Sequence, residues 1–137
     1  MSEMSNIERL KELTTKLNNA ILEYETMFDS EVFLICETNK VGKFTRISKA
    51  WTNVLGWSIE EMYEHPFTYF IHPDDVEQTM KLYTDLVNHR TSVKNFVNRY
   101  KTKNDGYVSL MWASPGFNKG ESLIATAIVC PFDINIA

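Results

Sequence analysis

The sequence predicts an α+β fold: a five-stranded antiparallel sheet with helices on one face and an N-terminal amphipathic helix on or near the other. The chain has 137 residues, the size of one domain. It opens with a heptad-patterned helix. Two strand-like segments, several short helices, one longer helix and three further strand-like segments follow. We therefore divide the chain into a helix at residues 1–28 and a single domain at residues 29–137.

The N-terminal helix is predicted from apolar residues that alternate three and four positions apart. Ser5-Asn6-Ile7-Glu8 matches a capping box, which indicates a helix start. The apolar seam, with Thr14 as its one polar member, consists of Ile7, Leu10, Thr14, Leu17, Ile21, Tyr24 and Phe28. Because such a stripe must be covered, we expect it to pack on its own domain or on a second copy of the chain.

Turn and helix-cap signals predict the strands and helices in the first half of the domain. Residues 31–37 form a short apolar run typical of a buried strand, and a turn at residues 39–42 leads into a second strand. Residues 48–55 are predicted to be helical and to end at Gly56. A second capping box, Ser58-Ile59-Glu60-Glu61, then begins a short helix.

The second half contains the longest internal helix and three strands. His72-Pro73-Asp74-Asp75 begins the helix, because proline is tolerated in the first turn and carboxylates oppose the positive end of the helix dipole. We expect its buried face to consist of Met80, Tyr83, Leu86 and Val87. The strands are predicted at residues 93–103, 107–114 and 123–132, separated by turns at residues 104–106 and 115–120.

Several short motifs occur in a characteristic order. They are Ser48-Lys49-Ala50-Trp51, Leu55-Gly56-Trp57-Ser58, Glu60-Glu61-Met62, Ile71-His72-Pro73-Asp74-Asp75, Arg99-Tyr100, Asn104-Asp105-Gly106 and Asp133-Ile134-Asn135. Their order and spacing over about residues 28–135 resemble those of a PAS domain, in the subtype with a His-Pro-Asp-Asp helix start. The resemblance implies a sensory and docking module of signalling proteins.

Strand alternation predicts which side chains point inward. Residues 97, 99, 101 and 103 include three charged side chains and should be solvated, which points Asn98 and Tyr100 toward the interior. Aligning the next strand with the PAS family places Ser109 and Met111 on the inner face as well. We therefore expect Asn98, Tyr100, Ser109 and Met111 to line a ligand pocket. The alternative is that these polar groups only satisfy one another or buried backbone groups.

The same alignment places Val108, Leu110 and Trp112 on the outer face of the sheet, as an apolar patch that needs a partner. We expect residues 5–28 to pack across this patch, within one chain or between the chains of a homodimer. The contacting helix residues would be Ile7, Leu10, Leu17, Ile21 and Tyr24.

The resemblance also bears on cofactors. Haem-binding relatives carry a histidine midway along the long helix, where this chain has residues 77–82 without one, so haem is not expected. Flavin photoreceptors carry a cysteine in the preceding short helix, where this chain has Thr68, which excludes a covalent flavin adduct. A non-covalent small ligand remains open. His65, His72 and His89 show no metal-ligand spacing.

Composition and motifs exclude several function classes. The net charge of −4 argues against nucleic-acid binding. No apolar segment is long enough to span a membrane, and the N-terminus has no signal core. Cys36 and Cys130 are interpreted as free thiols of a cytoplasmic protein. No catalytic arrangement is present, so we expect a non-enzymatic PAS-type sensor that acts on an effector protein in trans. The alternative is a ligand-free dimerisation scaffold.

Overall fold

The computed structural model describes residues 3–89, 91–117 and 121–130. Over these ranges helices and strands follow one another in the predicted order. The helices are α1 (Glu3–Met27), α2 (Ala50–Leu55), α3 (Ile59–Tyr63), a 3-10 helix (Phe67–Phe70) and α4 (Pro73–His89). The strands are β1 (Leu34–Thr38), β2 (Phe44–Ile47), β3 (Val93–Lys101), β4 (Tyr107–Ser114) and β5 (Leu123–Val129). The closing motif at residues 133–135 lies outside the described residues.

The five strands form one antiparallel sheet in the order β2-β1-β5-β4-β3. The last strand of the described residues, β5, therefore lies in the centre, between β1 and β4. The segment from α2 to α4 connects the two edge strands, β2 and β3. This arrangement confirms the predicted α+β fold.

Local sequence signals explain where the short helices begin and end. Gly56 ends α2 in the left-handed region at φ +88°, which glycine adopts without a steric penalty. Ser58 and Glu61 form a capping box, in which each side chain accepts a hydrogen bond from the other residue's backbone N–H. Pro73 begins α4 as predicted. Ser5 instead lies within α1, so the first capping box does not mark a helix start.

β1 begins later than predicted because of a turn made by a serine. The Ser30 hydroxyl oxygen accepts hydrogen bonds from the backbone N–H groups of Val32 (3.3 Å) and Phe33 (2.9 Å). This side chain–backbone pattern holds the segment in a bend and competes with strand pairing. Both Val32 and Phe33 are exposed.

The core lies between the sheet and the helical segment, around Trp51. The indole ring of Trp51 is fully buried and lies 5.3 Å from the rings of both Phe44 and Tyr100. Its Nε1 donates a hydrogen bond of 3.0 Å to the backbone oxygen of Ile35. Trp51 thereby holds α2 against β1 through apolar contacts and through a hydrogen bond that satisfies its indole N–H.

The predicted orientation of β4 is wrong. Asn98 pairs with Leu110, and Tyr100 pairs with Val108, so each pair shares one face of the sheet. Leu110 is fully buried and Trp112 is 8% exposed, which places them in the core rather than on an outer patch. Val108 is half-buried and packs against the same core.

The predicted packing of α1 within one chain is also wrong. The seam residues Ile7, Leu10, Leu17 and Ile21 are 45–63% exposed, and they do not lie on Val108, Leu110 or Trp112. Near the C-terminal end of the helix, Tyr24 contacts Glu37 of β1 and Arg46 of β2. Pairing of the seam between two chains stays a prediction.

Candidate functional site

An interior cavity of about 70 Å³ lies between the inner face of the sheet and α4. Side chains from every strand line it, together with α4 and the 3-10 helix. The lining residues are Cys36, Thr38, Phe44, Phe67, Thr79, Leu82, Tyr83, Leu86, Val93, Phe96, Asn98, Tyr100, Trp112, Ser114, Leu123 and Ala125. The surface that these residues expose to the cavity is mainly apolar, as it commonly is in small-molecule sites.

Most of the polar side chains at the cavity already have hydrogen-bond partners. Asn98 Oδ1 accepts a 2.8 Å hydrogen bond from Trp112 Nε1, and Asn98 Nδ2 donates to Thr79 Oγ1 over 3.3 Å. The hydroxyl oxygens of Thr38 and Tyr83 lie 3.0 Å apart. Over the described ranges, no buried side-chain nitrogen or oxygen is left without a partner. The cavity thus offers a ligand mainly apolar contact.

The ionisable groups at the cavity are held in their neutral forms. Burial raises the pKa of the Cys36 thiol to about 12. Burial likewise raises the pKa of Tyr100 well above its usual value and raises that of Tyr83. Because thiol and phenol are uncharged when protonated, the site is electrically neutral at physiological pH.

Two of the four predicted pocket residues line the cavity. Asn98 and Tyr100 point inward as expected from the charged residues that alternate with them. Ser109 and Met111 lie on the opposite face and do not reach the cavity, because they alternate with the buried Leu110 and Trp112.

Sequence reasoning missed Cys36, Thr38, Trp112 and Ser114. The sequence did contain a signal for Trp112 and Ser114. Both lie at alternate positions of β4 from the strongly apolar Leu110, so all three side chains share one face of the strand.

α1 contacts the face of β1 that points away from the cavity. Glu37, which alternates with the cavity residues Cys36 and Thr38, accepts hydrogen bonds from the Tyr24 hydroxyl and from Thr45 Oγ1, the latter over 2.7 Å. The Arg46 guanidinium lies over the rings of Tyr24, at 5.2 Å, and Phe28, at 4.4 Å. Below, the side chains of Tyr24, Phe28, Glu37, Thr45 and Arg46 are called the α1 anchor.

α4 is fixed against the edge strand β3 by an ion pair. Arg99 Nη2 donates to Asp75 Oδ1 over 2.7 Å, and Arg99 Nε and its backbone N–H both donate to Oδ2, over 2.9 and 2.8 Å. These bonds lower the pKa of the Asp75 carboxyl, with the Arg99 side chain as the largest cause. This contact holds the start of the helix that covers the cavity.

The remaining predicted positions lie away from the cavity. Thr68 lies in a surface groove, and Met80, expected on the buried face of α4, is 37% exposed in the same groove. His65 stacks on Tyr69 with ring centroids 3.8 Å apart, and His72 Nδ1 accepts a hydrogen bond from the Asp74 N–H. In the part of the chain that the structure describes, no three His, Cys, Asp or Glu residues are grouped to hold a metal ion. Nor does any helix there combine the length and apolar character needed to cross a membrane.

Comparison with known proteins identifies the class to which this fold and cavity belong. The family model for the PAS fold matches residues 44–119, which is more than half of the chain. The chain belongs to the PAS family, whose members are sensory and signalling domains. No curated protein matches the chain by sequence.

Solved PAS structures share the fold at low sequence identity. The PAS-B domain of Drosophila melanogaster Cycle with bound ethylene glycol is 22% identical, with a TM-score of 0.64, over 71% of this chain and 99% of that one. A domain of a sensory box sensor histidine kinase/response regulator from Geobacter sulfurreducens is 12% identical, with a TM-score of 0.72, over 82% and 96%. The PAS domain of an HTR-like protein from Haloarcula marismortui is 15% identical, with a TM-score of 0.67, over 88% and 99%.

Proposed function

We propose that this chain is a cytoplasmic PAS sensory module that binds a small uncharged molecule in its cavity and signals through α1 to a second copy of the chain. The position of the cavity supports this most strongly. β1 contacts the cavity through Cys36 and Thr38, and it contacts α1 through Glu37, which lies between them in sequence. One strand therefore lies between the ligand site and the helix.

The chemistry of the cavity selects the class of ligand. An ion entering this site would lose its hydration and meet no opposite charge, because the ionisable groups of the lining are neutral. An apolar molecule would instead gain about 25 cal/mol for each Å² of its surface removed from water. The proposed ligand is thus uncharged and mainly apolar.

Occupancy would reach α1 by a shift between two packings of β1. A molecule against Cys36 and Thr38 displaces the strand toward its other face, where the α1 anchor lies. Any displacement of Glu37 alters its hydrogen bond to Tyr24, and so the angle at which α1 leaves the domain. A ligand that prefers one of the two packings shifts the population toward it.

The output surface would be the exposed seam of α1. Its apolar residues are solvated in the single chain, and a contiguous exposed apolar stripe usually has a partner. The three-four spacing of these residues is suited to a second α-helix, which supports a homodimer. We propose that the protein is not an enzyme and that a dimer with altered helix packing acts on an effector protein in trans.

A ligand-free dimerisation scaffold is the second candidate. The small size of the cavity favours it, since about 70 Å³ is well below the volume of most ligand sites. In that case the aromatic core around Trp51 only supports the sheet, and α1 mediates assembly without sensing.

A thermal-shift screen of small uncharged compounds, with mass spectrometry of molecules released from the purified protein, distinguishes the two candidates. A ligand at 100 times its Kd adds about 2.7 kcal/mol to the free energy of unfolding. The Ala125→Val variant places two extra methyl groups in the cavity, and Ala113→Val makes the same change at an exposed position of β4.

The sensor proposal predicts a compound that stabilises the wild type and Ala113→Val but not Ala125→Val. If no molecule is released and no compound stabilises the wild type, the scaffold is favoured. Equal stabilisation of all three proteins would place binding outside the cavity.

A further inference from the structure

A larger groove lies on the surface next to the cavity. It has a volume of about 390 Å³ and runs between the turn that joins β1 to β2 and the outer side of α4. Its apolar lining includes Val41, Met80 and Val87, and its polar lining includes Lys40 and Thr84. The groove is therefore mainly apolar, with hydrogen-bonding groups beside the apolar side chains.

Two aromatic side chains separate the groove from the cavity. Phe67 and Tyr83 line both spaces, and their ring centroids lie 4.7 Å apart. The Tyr83 hydroxyl is held by hydrogen bonds to the backbone oxygen of Asn39 and to Thr38. The Phe67 ring is held by packing alone. Rotation of Phe67 therefore breaks no side-chain hydrogen bond, whereas rotation of Tyr83 breaks two.

Gly42 allows the Phe67 ring to pack closely against the turn between β1 and β2. A Cβ atom at residue 42 would lie 2.9 Å from Phe67 Cε1, closer than side chains tolerate. The absence of a side chain at Gly42 lets the Phe67 ring lie against the turn, on the groove side of the partition.

We propose that the cavity and the groove form a single binding site, joined when the Phe67 ring rotates, for an elongated and uncharged molecule that is mainly apolar. This inference rests on the proposed ligand-binding function and names the class of ligand. The interior cavity alone is far smaller than the roughly 300–1,000 Å³ of ordinary ligand sites, and access to the adjacent groove of about 390 Å³ would bring the site into that range.

The lining of the two spaces sets the orientation of the ligand. The narrow apolar end enters the cavity, where Asn98, Thr38 and Tyr83 are already hydrogen-bonded. The hydrogen-bonding end stays in the groove, near Lys40 and Thr84. Lys40 already forms a 3.1 Å ion pair with Glu121, so a neutral hydroxyl or amide fits this end better than a further charge.

Two probes test the inference: xenon, which is small enough for the cavity alone, and 1-octanol, which is long enough to extend from the cavity into the groove. Their affinities are measured by NMR titration for the wild type and two surface variants of α4. Thr84→Trp fills the groove, and Asn88→Trp adds the same ring at an exposed position outside it. Both positions are solvent-exposed, so both variants retain the core.

The composite site predicts that Thr84→Trp weakens 1-octanol binding about tenfold, the effect of leaving roughly two methylene groups in water, and leaves xenon binding unchanged. Asn88→Trp should change neither affinity. Unaltered 1-octanol binding in Thr84→Trp, or no 1-octanol binding to a wild type that binds xenon, overturns this inference alone. If the wild type binds neither probe, both the composite site and the proposed ligand-binding function are overturned.

Discussion

Trp112 donates its indole N–H to the side-chain oxygen of Asn98 on the neighbouring strand, over 2.8 Å. Asn98 is 2% exposed and Trp112 is 8% exposed, so water cannot replace either partner. This contact makes the most polar side chain at the cavity unavailable to a ligand. It also fixes β3 and β4 in the register that brings both residues to the cavity.

A double-mutant cycle on this pair measures the strength of the contact. Asn98→Leu and Trp112→Phe should each lower the free energy of unfolding by about 1–3 kcal/mol, because each leaves a buried polar group unpaired or removes buried ring area. The double variant should lose about 1 kcal/mol less than the sum of the two, since no partner is then left unsatisfied. Urea unfolding of the four proteins provides the comparison, and strict additivity would contradict the coupling.

Asp75→Asn should lower the free energy of unfolding by about 2 kcal/mol, because it replaces a carboxylate that accepts three hydrogen bonds from Arg99. Asp74→Asn is the matched control in the same helical turn. The Asp74 side chain is 78% exposed, so only its interaction with the helix dipole, about 0.5 kcal/mol, should be lost. Equal losses of unfolding free energy in the two variants would show that the ion pair stabilises the fold no more than the interaction of a carboxylate with the helix dipole.

The same ion pair predicts a pH dependence. The folded-state pKa of Asp75 lies below the ordinary value of 3.8, so its contribution is complete above that value and disappears as the pH falls through the lower, folded-state pKa. The stability difference between wild type and Asp75→Asn should therefore be constant near neutral pH and narrow below about pH 4. A difference that narrows on the alkaline side would have the wrong sign for this carboxyl group.

Leu17→Glu should dissociate the proposed dimer, because it places a charge in the centre of the α1 seam. Leu22→Glu makes the same change on the same helix at a position outside the seam; both leucines are at least 60% exposed. Leu and Glu have similar helix propensities, so α1 itself should persist in both variants. Sedimentation equilibrium should give a monomer for Leu17→Glu and the wild-type mass for Leu22→Glu. Identical masses for all three proteins would exclude the seam as the interface.

Cys36 should be almost inert toward thiol reagents while the domain is folded. Its pKa is raised from 9.0 to about 12, so the reactive thiolate is about a thousandfold less populated than in an ordinary cysteine. The Cys130→Ser variant removes the half-exposed thiol and leaves Cys36 as the sole target. Its reaction with a disulfide reagent should be slow in buffer and fast in denaturant. Similar rates in both conditions would show that the cavity wall is open to solvent.

The sequence predicted the elements well because local signals, such as the Ser58–Glu61 capping box and the Pro73 helix start, act within a few residues. The orientation of β4 depends on pairing instead. Once Asn98 and Tyr100 point inward, antiparallel pairing across the turn places Val108 and Leu110 inward too, and a single-residue shift reverses every side chain. Alignment with the PAS family pointed the wrong set of β4 side chains inward, although the apolar character of Leu110 and Trp112 indicated that these two face the interior.

The cavity itself could not be predicted from the sequence. Its walls come from segments as distant as Cys36 and Ala125, and its volume depends on how the rings of Phe44, Phe67 and Phe96 fill the space between them. Packing at that level of detail is not encoded in any local pattern.

Transmission of cavity occupancy through β1 to α1 should be visible in amide NMR spectra recorded under increasing xenon pressure. Saturable shifts are predicted at Cys36 and Thr38, and at Tyr24 with the same apparent Kd, whereas the hairpin glycine Gly106 should not respond. In Tyr24→Phe, which lacks the hydroxyl bonded to Glu37, the shift at residue 24 should disappear while that at Cys36 remains. Shifts confined to the cavity residues, with none at Tyr24, would contradict the account.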